Sequence, residues 1–121
     1  MEVPPDLILV ADGSHARMIA HESRGDTVLW TMHCREQQRT GPMRAAQLAF
    51  AREVADKVEE TLVHTSFNTF VVAAPPRTVG DLRREFCEQV LDALTTEIEK
   101  DLVSLPDSDV VAHLTQSQAR H

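Results

Sequence analysis

A chain of 121 residues with 42% hydrophobic content fits a single globular domain, residues 1–121, and is too short for two separate cores. Its formal net charge of −7 opposes non-specific attraction to a phosphate backbone, so no DNA partner is expected. Cys34 and Cys87 stand far apart with no paired spacing, which suggests neither a disulfide framework nor a four-thiolate zinc site and suits a reducing compartment.

In chain order, the opening stretch Met1-Glu2-Val3-Pro4-Pro5-Asp6 is acidic and Pro-rich. The apolar run behind it, Leu7 to Ala11, is too short for a signal-peptide core or a membrane span, so a cytoplasmic location and no membrane partner are expected. Bounded by Pro5-Asp6 and Asp12-Gly13, that run predicts a central strand covered on both faces. Ala16 to Glu22 and Thr27 to His33 alternate around the turn residues Arg24-Gly25-Asp26, predicting a hairpin. Periodicity stops from Cys34 to Pro42, which reads as a loop.

Met43, Ala46, Phe50, Val54, Val58 and Leu62 recur at three- and four-residue spacing and predict a long helix from Met43 to His64, with Phe50 in the core. Thr69 to Ala74 reads as a second buried strand stopped by Pro75-Pro76. Thr78 with Asp81 resembles a capping box that starts a helix at about Val79, with Leu82 and Phe86 facing the core. Between Leu94 and Leu102 both helix and strand fit the pattern. Strand is preferred, because an unbroken helix from Val79 would be unusually long and Thr95-Thr96 favour β structure. A short last helix starts at Pro106.

Three meandering strands, then helix, strand, helix, strand and helix, is the element order of the ribonuclease H-like fold, a five-stranded mixed sheet with flanking helices. Nucleases of that fold hold two metal ions between clustered carboxylates. Asp12 stands near the first such place and Glu53 near the helical one, but the fourth strand ends in Ala73-Ala74-Pro75 with no carboxylate, which disfavours a nuclease.

Several strings resemble the bacterial host attachment protein family. They are Val10-Ala11-Asp12-Gly13 with Ala16-Arg17, the helix containing Phe50-Ala51, then Ala74-Pro75-Pro76-Arg77 with Gly80 and Leu82-Arg83, and Lys100-Asp101-Leu102. That family is in turn similar to the middle domain of archaeal and eukaryotic peptide-chain release factors, which also has a ribonuclease H-like fold. In those factors a Gly-Gly-Gln loop before the long helix enters the ribosome and promotes hydrolysis of peptidyl-tRNA. Here the corresponding loop reads Gln37-Gln38-Arg39-Thr40-Gly41-Pro42-Met43, and Pro42 lacks a backbone donor and fixes φ. The resemblance thus implies a non-catalytic or regulatory interaction protein, ribosome- or RNA-associated. The alternative is a release or rescue factor that cleaves peptidyl-tRNA.

Charge is distributed unevenly. From 35 to 52, Arg35, Arg39, Arg44 and Arg52 oppose Glu36 alone, net +3, whereas from 85 to 109 eight carboxylates face Lys100, net −7. Arg35, Arg39 and Arg44 are therefore candidate contacts to ribosome or RNA, and the resemblance adds Gly41, which falls near the place of the release-factor tripeptide. After the first strand, Asp12, Ser14 and Arg17, joined by Arg77 and Arg83 from the adjacent strand's end, are candidates for a small anion pocket. Pairing of Arg77 or Arg83 with Asp12 or Asp101 is the structural reading of the same residues. His15, His33 and Cys34 can meet across the hairpin, but a fixed zinc site needs a fourth ligand, so no metal and no cofactor is expected.

Overall fold

The alternating N-terminal third forms a three-stranded meander in a computed structural model, which describes residues 4–34 and 43–119. Strands β1 (Asp6–Ala11), β2 (His15–Glu22) and β3 (Gly25–His33) precede α1 (Met43–His64) and β4 (Phe70–Ala73). Helices α2 (Pro76–Glu85) and α3 (Glu88–Ala93), strand β5 (Leu94–Ile98) and helix α4 (Asp107–Ala119) complete the chain. The sheet order is β3-β2-β1-β4-β5, with β2 antiparallel to both its neighbours and β1, β4 and β5 mutually parallel. This is the five-stranded mixed sheet of ribonuclease H-like topology implied by the element order. At the β2–β3 turn Gly25 adopts a φ of 136°, which side-chain-bearing residues rarely reach.

From Leu7 to Ala11 β1 is apolar because each face of it is covered. Leu7, Leu9 and Ala11 join Phe50, Val54, Val58, Val79, Leu82 and Phe86 in one cluster under α1, α2 and α3. Ile8 and Val10 join Val71, Ala73, Val110 and Leu114 in a second cluster under α4. Phe50 is 2% exposed, as its spacing predicts, whereas Met43, placed on the same apolar face by its spacing, is 74% exposed at the start of α1. Trp30 donates from Nε1 to Thr61 Oγ1 at 2.8 Å, tying β3 to the far end of that helix.

Two expectations need correction. The second helix starts at Pro76, not Val79, with proline in the first turn where its missing N–H costs nothing, and no side chain caps it. Asp81 is not a capping-box partner: it is buried and bonds to Arg44. The strand from Leu94 ends at Ile98, well short of Leu102. Phe70 pairs with Leu94 but Val71 with Thr96, so Thr95 is an extra residue whose Oγ1 accepts from Phe70 N at 3.2 Å. That bulge reverses the alternation: Leu94 packs with the α1-side cluster and Ile98 with the α4-side one.

Candidate functional site

Because β1, β3 and β4 run parallel, their carboxyl ends share one edge of the sheet, and the polar residues singled out by the sequence gather around it. Asp12 is consumed by the β1–β2 turn. Its Oδ1 accepts from Ser14 N at 2.8 Å and His15 N at 2.6 Å, while its own N–H donates to His15 O at 2.8 Å. Ser14 Oγ lies 3.0 Å from His15 Nδ1, and Ser14 O accepts from Cys34 N at 2.7 Å. His15 and His33 are direct cross-strand partners. Cys34 is buried with the α1-side cluster, and no group of three His, Cys, Asp or Glu residues able to hold a metal occurs among the described residues.

Arg17, 16% exposed, points to the α4 side of β2. There Nε donates to Asp107 Oδ1 at 2.8 Å, Nη1 to Val103 O at 2.7 Å and Nη2 to Leu105 O at 2.6 Å. All three guanidinium nitrogens thus clasp the segment leading into α4. Arg83 Nε faces Glu97 Oε2 at 3.3 Å, neither Asp12 nor Asp101. Arg77 is exposed and has no ion-pair partner among the described residues. Of the five residues expected to form an anion pocket, Asp12 and Ser14 are bonded to each other in one turn, Arg17 and Arg83 pair with separate acids and Arg77 is exposed, so they do not converge.

Sequence reasoning missed the junction at the start of α1. Arg44 Nη1 and Nη2 donate to Asp81 Oδ2 and Oδ1 at 2.7 and 2.6 Å, a bidentate pair with a side chain only 6% exposed. The Asp81 hydrogen bonds push the Arg44 pKa up from its ordinary value, outweighing the opposite effect of partial burial. Nη1 also lies 3.3 Å from Gln47 Oε1, and Gln47 packs against Gly13, where a Cβ would meet its Nε2 at 2.9 Å. One network thus joins the β1 turn, α1 and α2. The available signal was Asp81 on the inward face of α2 beside Leu82, since a buried carboxylate demands a partner. Arg35, Arg39 and Gly41 lie outside the described residues, which end at Cys34 and resume at Met43.

A family model described as protein required for attachment to host cells matches residues 30–114. The chain belongs to that family. The host attachment match opens within β3 and closes in α4, so it includes the Arg44–Asp81 junction and the residues that Arg17 clasps, while β1 and β2 precede it. No curated protein matches. Among solved structures the fold is similar to the Pelota protein of Thermoplasma acidophilum, with a TM-score of 0.59 at 13% identity, covering 94% of this chain and 33% of that one. The chain spans about a third of the length of that protein, and at this identity the likeness is one of fold. No helix among the described residues is long and apolar enough to cross a membrane.

Proposed function

We propose that this host attachment protein is a non-enzymatic or regulatory cytoplasmic factor that docks on the ribosome or on RNA through residues 35–44. One observation carries the reading: both ends of the arginine-bearing segment are held firmly at the same sheet edge. Cys34 N is bonded to Ser14 O, and Arg44 grips Asp81 with both nitrogens. Fixed ends reduce the entropy lost on binding. Arg35 and Arg39 then make the phosphate contacts, and Arg44 serves as the root of the segment. Concentrated positive charge on an acidic body gives a local attraction without non-specific binding elsewhere.

Co-sedimentation with ribosomes across a salt series tests this. Arg35→Gln with Arg39→Gln should weaken binding and lower the log–log salt slope by about two, one per lost phosphate contact. Unchanged binding would sink the reading. The wild-type protein should not release peptide from peptidyl-tRNA on ribosomes. Release abolished by substituting Gln37 or Gln38 would make the hydrolytic factor the better description.

A further inference from the structure

The sheet order makes β3 a terminal strand, with no strand beyond it among the described residues. Alongside its last residues runs an open groove of about 420 Å³, walled by Thr31 to Cys34 on one side and by α1 on the other. Small side chains on α1, Ala46 and Ala49, leave the space, Phe50 contributes to its apolar wall and Glu53 stands at the rim. Two cations of α1 near Glu53 in sequence pair with other acids: Arg52 leans to Glu85 at 3.2 Å and Lys57 to Glu60 at 3.6 Å. A strand edge unpaired among the described residues, an apolar wall and a carboxylate occur together.

We infer that this groove takes an extended peptide of a partner protein, added to the sheet as a strand beside β3, with apolar side chains toward Phe50 and a basic one toward Glu53. The edge of β3 supplies main-chain donors and acceptors, and the groove between strand and helix receives alternate side chains. Thr31 to His33, the last three residues of β3, at about 3.4 Å each give an extended stretch of roughly 10 Å. The Glu53 carboxylate selects a lysine or arginine of the peptide at that end of the groove. The assignment stands independently of the proposed docking through residues 35–44.

The test titrates the ¹⁵N-labelled full chain with the blocked peptide acetyl-Val-Lys-Val-Lys-Val-amide. Amide shifts should saturate and be confined to residues 31–34 and 46–53. Glu53→Lys, or Ala49→Phe at an exposed position where the fold tolerates filling, should each raise Kd roughly fivefold or more. N-methylation of alternate peptide bonds in the probe, which leaves the protein untouched, should abolish binding. Equal binding of the methylated probe, or shifts that omit Thr31 to Cys34, would overturn strand addition. Displacement of the peptide by a single-stranded RNA oligomer through the same residues would assign the groove to nucleic acid. Dimerisation in sedimentation that blocks the peptide would assign it to a second copy of this chain.

Discussion

Arg17 shows how a residue type chosen for anion binding can be spent entirely inside the protein. Its guanidinium satisfies two backbone carbonyls and Asp107 at once, so truncation leaves three acceptors short of a donor. Arg17→Met should lower stability by about 2–4 kcal/mol, read as a shift of the urea midpoint at unchanged m. Arg17→Lys should recover little of it, because a single ammonium cannot reproduce a planar fork. A midpoint within error of wild type for Arg17→Met would show the clasp to be dispensable. The residue's place after the first strand was legible in the sequence. Its partners were not, because Val103 and Leu105 offer main-chain oxygens, which leave no trace in side-chain pattern.

Elements meet at the α1 start through Gly13, Gln47, Arg44 and Asp81, and the contact there is flexible on one side. A methyl at position 13 would press on the end of the Gln47 side chain, which can move, and Gly13 needs no positive φ. Gly13→Ala should therefore cost under about 1 kcal/mol, and that cost should vanish in a Gln47→Ala background. A cost that persists there would locate it in the turn instead. The bounds of α1 were legible because five turns of regular apolar spacing outweigh local noise. Strand β5 was legible in kind but not in extent, since a bulge at Thr95 resets which face each residue meets. Helix α3, only six residues with Val90 its sole buried member, carries too little periodicity to be read at all. Asp81 was misassigned because an N-terminal acid and a buried ion-pair partner look alike in one dimension.

At the scale of the molecule, two apolar clusters share the central sheet, and loosening one should be felt by the whole. Phe50→Ala should destabilise by roughly 3–5 kcal/mol with a single cooperative transition by circular dichroism and fluorescence of Trp30. A wild-type midpoint would remove Phe50 from the supporting core. Family and topology were legible because short strings and element order survive where single positions do not. The groove was hidden, since it depends on two alanines and a strand end that only the folded chain brings together. The central position of β1 also has a consequence for synthesis. It pairs with β2 at once, yet its other neighbour begins at Phe70 and the α4 cover ends at Leu114. At about 5–20 residues per second, a ribosome that has translated His33 needs about 4–16 s more to reach Leu114. For that interval the apolar run Leu7 to Ala11 lacks its α4 cover, a natural point of engagement for a holding chaperone.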